Sequence, residues 1–209
     1  MKGRVSYSML SAKYKIQQFA LKQVLGYLKK DPEKNLKKII SWLRKFDSDN
    51  LYANQYDMID GFLDDPDNNW TKLMSKIINE VNPNIVQTVF TNFLLNASIK
   101  GWGEIEKNRE KYGHDIPFTI LVDPTTACNK KCIGCWAADY NKALNLSYEQ
   151  LDKLFTEGKE LGIYFYIMTG GEPLVRKADI LKLAKKHNDC VFMFFTNGTL
   201  IDQKFCEDN

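Results

Sequence analysis

Apolar positions in the first half of the chain recur at the spacing of an α-helix. Leu36, Ile39, Ile40 and Leu43 follow one another at i, i+3, i+4 and i+7, which places them on one helix face. Residues 31–33, Asp-Pro-Glu, precede this face with an N-cap residue, a first-turn proline and a first-turn acid. Similar patterns continue to about residue 112, so we expect an all-helical section of four to six helices. The other apolar faces lie within 21–28, 56–63, 73–78 and 85–94.

The hydrophobic period changes after Pro117. Short runs of apolar, mostly β-branched or aromatic residues occur at 118–122, 163–168 and 191–195. Each run is followed by residues that favour turns. The three runs therefore predict three buried β-strands.

Two helical patterns separate these runs. Ser147 and Gln150 form a capping box at the start of the first helix, and Gly162 provides a C-terminal stop after it. The second helix is expected at about 176–187. The resulting order β-α-β-α-β predicts an α/β fold with a parallel sheet.

Only the change of period near Gly113 marks a domain boundary, because no Gly/Ser-rich or Pro-rich linker separates the two halves. We expect a helical N-terminal domain at 1–112 and an α/β domain at 113–209. A parallel sheet of only three strands would leave both of its edges open. For that reason we expect this chain to be a fragment of a larger fold.

Composition and charge exclude some classes of protein. The 209 residues are 44% hydrophobic and 26% charged, which is typical of an ordinary globular chain. The net charge of +3 is too small to predict a nucleic acid or an anionic membrane as a partner. The apolar runs are far shorter than the ~20 residues of a membrane span, and the first residues lack the apolar core of a secretory signal. We therefore expect a cytoplasmic protein with no membrane span and no nucleic-acid partner.

The five cysteines are unevenly distributed. None occurs in the first 127 residues, whereas Cys128, Cys132 and Cys135 fall within eight residues directly after the first predicted strand. Such clustering is typical of a metal site in a reducing compartment. Structural zinc needs four ligands, whereas an iron–sulfur cube held by three thiolates leaves one iron free to bind another molecule. Zinc, an iron–sulfur cluster and free thiols all remain open from the residues alone.

Two further reactive side chains are expected to pack rather than react. His187 lies on the apolar stripe of its predicted helix, and Cys190 directly precedes the third predicted strand. Neither is predicted to join the metal site.

Motifs also follow the second and third predicted strands. The segment Thr169-Gly170-Gly171-Glu172-Pro173 ends the second strand, and Thr196-Asn197-Gly198 follows the third. Together with the C-x3-C-x2-C spacing, these motifs resemble the signature of the radical S-adenosylmethionine (SAM) superfamily, as found in its molybdenum-cofactor and peptide-modifying branches. The resemblance covers residues 117–201 and implies the first half of a (β/α)6 partial TIM-like barrel, preceded here by the helical domain.

The resemblance implies two cofactors and a set of site residues. The three clustered cysteines, Cys128, Cys132 and Cys135, would hold a [4Fe-4S] cluster whose fourth iron binds SAM. Glu172 would offer a carboxylate to the ammonium group of SAM, while Gly170 and Gly171 would let the backbone approach the cofactor closely. The other residues expected to bind the cofactor are Thr169, Pro173, Thr196 and Asn197.

The activity implied by the resemblance is that of a radical SAM oxidoreductase or transferase. An electron from a reductant such as flavodoxin or ferredoxin would cleave SAM to a 5′-deoxyadenosyl radical, which would abstract hydrogen from a substrate. The pair Lys130-Lys131, inside the cysteine segment, would help to dock an acidic donor. Peptides, lipids, nucleotide-derived molecules and sugars all remain open as substrates. The alternative is a non-enzymatic iron–sulfur or zinc binding module, either an electron carrier or a docking domain.

Overall fold

The computed structural model describes residues 7–47, 53–65, 67–135, 137 and 144–208. The chain forms two compact units, Met1–Thr91 and Asn92–Asn209. The division precedes the change of hydrophobic period near Gly113. The helical residues 92–112 therefore lie in the same compact unit as the strands.

The first unit is helical, as its sequence pattern predicts. Asp31 caps the second helix by accepting a hydrogen bond from the backbone N–H of Lys34 at 3.1 Å, and Pro32 occupies the first turn. On the predicted apolar face of this helix, Ile40 is buried. The helices described in this unit are α1 (Tyr7–Leu28), α2 (Pro32–Phe46), α3 (Ala53–Asp64), α4 (Asn69–Glu80) and α5 (Pro83–Phe90).

The regular α-helical winding that the sequence pattern predicts across Ile85–Leu94 ends at Phe90. A π-helix, Thr91–Gly101, follows it and leads into α6 (Trp102–Tyr112). The side-chain amides of Asn92 and Asn96 are buried and donate hydrogen bonds of 2.9 to 3.0 Å to backbone carbonyls of residues 188–190. Hydrogen bonds to a distant turn, which periodicity does not reveal, thus accompany the change of winding.

The second unit contains a parallel sheet of three short strands in the order β1-β2-β3. The strands are β1 (Thr119–Val122), β2 (Phe165–Met168) and β3 (Val191–Phe194). Each lies within one of the predicted apolar runs, so the three strand predictions are confirmed. The last residues of the strands pair with one another, since Val122 is in register with Met168 and Met168 with Phe194. All three carboxyl ends therefore meet at one edge of the sheet.

The connections between the strands also form as predicted. Ser147 and Gln150 make a reciprocal capping box before α7 (Tyr148–Leu161), and Gly162 ends that helix with a φ of 97°. A 3-10 helix, Pro173–Arg176, leads into α8 (Lys177–Lys186), and α9 (Gln203–Asp208) follows β3.

The two faces of the sheet have different surroundings. Phe155 of α7 contacts Tyr166 and Phe192 of the sheet, with ring centroids 4.6 and 5.2 Å apart. Leu121 and Met193 belong to the opposite set of alternating positions, and their exposed fractions are 56% and 43%. Parallel sheets are normally buried on both faces. Here helices cover one face, while apolar side chains on the other remain exposed to solvent.

Candidate functional site

Three loops come together at the carboxyl edge of the sheet, and backbone hydrogen bonds join two of them directly. We call them the cysteine loop (residues 125–135), the glycine loop (169–173) and the β3 loop (195–199). The N–H of Gly171 donates to the carbonyl of Thr125 at 3.1 Å, and the N–H of Glu172 donates to that of Ala127 at 2.8 Å. The pairing of β1 with β2 thus continues beyond the strands into the site.

The cysteine loop presents three thiols to solvent. Cys128, Cys132 and Cys135 are all exposed, and none of the five cysteines, which all lie in the described ranges, forms a disulfide. The loop turns sharply at its end, where Gly134 has a φ of 73° and the N–H of Cys135 donates to the carbonyl of Cys132.

The base of the cysteine loop is closed by contacts with the residues that precede α7. Thr125 and Asn145 form an isolated antiparallel bridge. Arg176, at the end of the 3-10 helix, donates through one guanidinium nitrogen to the carbonyls of both Pro124 and Leu146. The Arg176 side chain thereby links Pro124, which precedes the cysteine loop, to Leu146, which precedes α7. No motif or spacing in the sequence indicates this role of Arg176.

The donor set of the cysteine loop fits an iron–sulfur cluster. Three exposed thiols without a histidine or carboxylate ligand match the cluster that three thiolates hold, and do not match the four ligands of structural zinc. Among the described residues, no group of three or more His, Cys, Asp or Glu side chains is already gathered into a metal-binding arrangement. The fit therefore rests on the chemistry of the three thiols rather than on their present geometry.

Cys190 and His187 lie where the sequence pattern predicted them. Cys190 is buried, and this burial, together with the nearby carboxylate of Asp189, raises the pKa of its thiol to about 12. His187 is also buried, and its Nε2 lies 2.8 Å from a carboxylate oxygen of Asp152. The prediction that both side chains pack in the core is confirmed.

The two glycines of the glycine loop are required by contacts within the chain. A Cβ atom on Gly170, whose φ is 100°, would lie 2.5 Å from the carbonyl oxygen of Thr125. A Cβ on Gly171 would lie 2.3 Å from the carbonyl oxygen of Ala127. The sequence suggested that the glycines let the backbone approach a ligand, whereas the close approach seen here is to the cysteine loop. Of the two, only Gly170 has a positive φ.

Glu172 occupies the centre of the site and is only 1% exposed. Its Oε1 accepts hydrogen bonds from the N–H of Leu174 at 3.0 Å and from the hydroxyl of Thr196 at 2.7 Å. Its Oε2 accepts a hydrogen bond from the N–H of Asn197 at 2.8 Å. A buried carboxylate needs such partners. Contact of this side chain with a cofactor ammonium remains a prediction, since both of its oxygens already bind donors of the chain.

Replacing Glu172 with glutamine is expected to lower the free energy of unfolding by roughly 1 to 3 kcal/mol, because a buried donor would be left without an acceptor. Each carboxylate oxygen accepts from a backbone N–H, so either orientation of the glutamine amide would turn its NH2 group towards another donor. Urea denaturation measures the difference. The matched control is Glu157→Gln on the exposed face of α7, which should change stability by less than about 0.5 kcal/mol. Equal stabilities of the two variants would contradict this role of Glu172.

The other predicted cofactor residues also lie at this edge. Thr169 and Pro173 are buried, and Pro173 begins the 3-10 helix. The hydroxyl of Thr196 donates to Glu172 and accepts from the N–H of Gly198. Asn197 contacts Asn129, a residue that sequence reasoning missed although it directly follows Cys128. The structure therefore brings together the predicted glycine-loop and β3-loop residues beside the cysteine loop.

Comparison with known proteins agrees with this arrangement. A family model described as the radical SAM superfamily matches residues 122–208. Residues 122–208 of the chain are thus similar to the radical SAM superfamily. The cofactors implied by this superfamily are a [4Fe-4S] cluster and SAM, which is the pair that the sequence motifs predicted. No solved structure matches the chain.

Several curated relatives are similar to part of the chain. An uncharacterised protein of Archaeoglobus fulgidus is 32% identical over 104 residues, which cover 49% of this chain and 25% of the relative. A GTP 3',8-cyclase of Petrotoga mobilis is 34% identical over 99 residues, 44% of this chain and 30% of the relative. A GTP 3',8-cyclase of Clostridium perfringens is 29% identical over 106 residues, 47% of this chain and 32% of the relative. The matched segment thus spans only about a quarter to a third of these relatives.

In the ranges that the structure describes, no helix is both long enough and apolar enough to cross a bilayer. This agrees with the short apolar runs noted in the sequence.

Proposed function

We propose that this protein is a radical SAM enzyme, in which Cys128, Cys132 and Cys135 ligate a [4Fe-4S] cluster. The observation that carries the proposal is the loop of three exposed thiols, held by backbone hydrogen bonds beside the Gly-Gly-Glu segment at the carboxyl edge of a parallel sheet. Ligands of open α/β sheets bind at this edge. When bound, the cluster and SAM supply a 5′-deoxyadenosyl radical, which removes a hydrogen atom from the substrate.

The contribution of the chain is to bind and orient these cofactors. The proposed SAM-binding residues surround Glu172, which fixes the glycine loop and the β3 loop from inside. An ammonium contact by Glu172 would have to replace one of its present donors or share an oxygen with it. The proposed set is Thr169, Gly170, Gly171, Glu172, Pro173, Thr196 and Asn197.

The exposed face of the sheet supports the proposal that the three strands belong to a (β/α)6 partial barrel. Leu121 and Met193 lie on the face that α7 leaves uncovered. In a barrel this face points inwards and is filled by side chains or a ligand. Closing the sheet with further strands would bury both side chains and remove the open edges.

Substrate and partners follow less directly from the similarity. The relatives named GTP 3',8-cyclase match less than half of this chain and only about a third of their own length, so they support the radical chemistry and not GTP as the substrate. The reductant is proposed to be a flavodoxin or a ferredoxin, to which the exposed Lys130 and Lys131 would present positive charge. We further propose a cytoplasmic location and an oxidoreductase or transferase reaction.

The test of this function is anaerobic reconstitution of the chain with iron and sulfide, followed by reduction in the presence of SAM. About four irons per chain and formation of 5′-deoxyadenosine are expected for a [4Fe-4S] radical SAM site. Addition of SAM without reductant is the control and should yield no 5′-deoxyadenosine. Bound zinc, or a cluster without any SAM cleavage, would instead support the alternative of a non-enzymatic metal-binding module.

A further inference from the structure

A short network of polar side chains joins the cysteine loop to the β3 loop. The side-chain NH2 of Asn197 donates to the amide oxygen of Asn129 at 2.9 Å. The NH2 of Asn129 in turn donates to the hydroxyl of Thr199 at 2.9 Å, and that hydroxyl donates to the amide oxygen of Asn197 at 2.6 Å. We call these three residues, Asn129, Asn197 and Thr199, the asparagine clasp. It closes a ring of hydrogen bonds between two strand-end loops.

One backbone group fixes the direction of every hydrogen bond in this ring. The N–H of Thr199 donates to Oδ1 of Asn197 at 3.0 Å, so that atom must be the amide oxygen. The NH2 of Asn197 therefore points at Asn129, which must present its own oxygen and turn its NH2 towards Thr199. No amide in the ring has a choice of orientation, and the β3 loop is consequently preorganised to receive Asn129.

The clasp is anchored in the interior of the site. The backbone N–H of Asn197 donates to Oε2 of Glu172, which is almost fully buried. Asn129 is adjacent to Cys128, so a continuous chain of bonds runs from the buried carboxylate to the first thiol of the cysteine loop. The base of the loop has separate supports, at Arg176 and at the bridge between Thr125 and Asn145. The clasp therefore holds the part of the loop that carries the thiol.

We propose that Asn129 and Asn197 are positioning residues that fix Cys128 relative to the glycine loop and so set how tightly SAM binds beside the cluster. This inference rests on the proposed function. SAM must contact the cluster and the glycine loop at once, so freedom of the cysteine loop lowers its affinity even when the cluster itself is still bound. Asn129 acts through the loop and need not touch a cofactor. Asn197 also belongs to the proposed SAM-binding set, so Asn129→Ala is the variant that isolates the positioning role.

The first test uses the full chain without cluster and measures backbone amide exchange at Ala127 and Glu172, whose N–H groups donate to the hydroxyl of Thr125 and to the carbonyl of Ala127, two residues before Asn129. Loss of the ring should speed exchange in Asn129→Ala by about fivefold to tenfold, as expected for one or two lost hydrogen bonds. Asn197→Ala should have a similar effect, because its backbone bond to Glu172 is retained. The double variant should exchange no faster than Asn129→Ala alone, since both single changes remove the same interaction.

The matched control is Asn108→Ala. The side chain of Asn108 is half-buried and also donates a hydrogen bond of 3.0 Å, in this case from α6 to the carbonyl of Glu160, within the same compact unit. This substitution should leave amide exchange at Ala127 and Glu172 unchanged. Wild-type exchange rates in both clasp variants, or additive effects in the double variant, would overturn the clasp.

The second test measures the dissociation constant for SAM by equilibrium dialysis against the reconstituted chain before reduction, a condition in which no SAM is cleaved. The clasp variants should bind about four irons like the wild type, but the dissociation constant for SAM should rise about fivefold to tenfold with the loss of the ring. A merely structural role would instead lower iron content and leave the affinity of the loaded fraction unchanged. An unchanged dissociation constant would overturn the positioning role.

The two tests separate the inference from the proposed function. If the wild-type chain binds no iron, the proposed function fails, and the positioning role falls with it even where exchange still reveals the clasp. If the wild type binds iron and cleaves SAM while both variants match it in exchange and affinity, only the inference fails.

Discussion

Cys132→Ala is expected to abolish binding of the [4Fe-4S] cluster while leaving the free energy of unfolding of the cluster-free chain within about 0.5 kcal/mol of the wild-type value. Thiolates hold such clusters, and the sequence of the cysteine loop, residues 125–135, contains no histidine, aspartate or glutamate to replace a missing thiol. Stability should be preserved because the side chain of Cys132 is exposed and forms no disulfide. Cys128→Ala and Cys135→Ala should behave in the same way.

Iron counting and the absorbance of the reconstituted chain measure this loss. The matched control is Cys206→Ala, which removes another exposed thiol in α9, outside the cysteine loop. It should retain about four irons per chain if the three cysteines are the only protein ligands. A full complement of iron in Cys132→Ala, or its loss in Cys206→Ala, would show that the ligands have been assigned wrongly.

Gly171→Ala is expected to lower the free energy of unfolding of the α/β unit by about 3 kcal/mol, the upper part of the usual range for overpacking. The new Cβ would lie 2.3 Å from the carbonyl oxygen of Ala127 and 2.6 Å from that of Thr126. Both neighbours are backbone atoms, so no side-chain rotation relieves the overlap. The cysteine loop would have to move away, which would strain the hydrogen bond between Glu172 and Ala127. We therefore expect iron binding to weaken together with stability.

Urea denaturation of the cluster-free chain measures the stability change. Gly103→Ala is the matched control, since a Cβ at Gly103 in α6 meets no atom within 4 Å. That substitution should leave stability unchanged or raise it by up to about 1 kcal/mol through helix propensity. Equal stabilities of the two variants would contradict the close contact between the glycine loop and the cysteine loop.

The sequence predicted the local elements well because their signals are local. The capping box of Ser147 and Gln150 and the αL glycine at Gly162 depend on neighbours within one helical turn, and both are confirmed. The three apolar runs predicted all three strands, and the helices between them predicted that the strands are parallel; both predictions are confirmed. The π-helix was not predicted, because the hydrogen bonds of Asn92 and Asn96 that accompany it reach residues far along the chain.

The roles of the site residues were predicted less completely. The sequence motif pointed to Glu172 and Gly171 as site residues, and we predicted from the family resemblance that both contact a bound ligand. In the structure their nearest partners belong to other loops of the same chain, Thr196 and Asn197 for the carboxylate and Ala127 for the glycine. Which donors surround a buried carboxylate depends on how the strand ends align, and spacing alone does not contain that information.

The sequence by itself determined the α/β order and the three clustered thiols, and its resemblance to the radical SAM superfamily implied the cofactor pair. It could do so because strands, caps and a three-cysteine segment are set by residues close together in the chain. The tertiary structure decided that Glu172 joins two loops from inside, that Arg176 closes the base of the cysteine loop and that Asn129 meets Asn197. Those contacts exist because the register of the parallel sheet brings the ends of β1, β2 and β3 to one edge, where residues nearly 70 positions apart come within hydrogen-bonding distance.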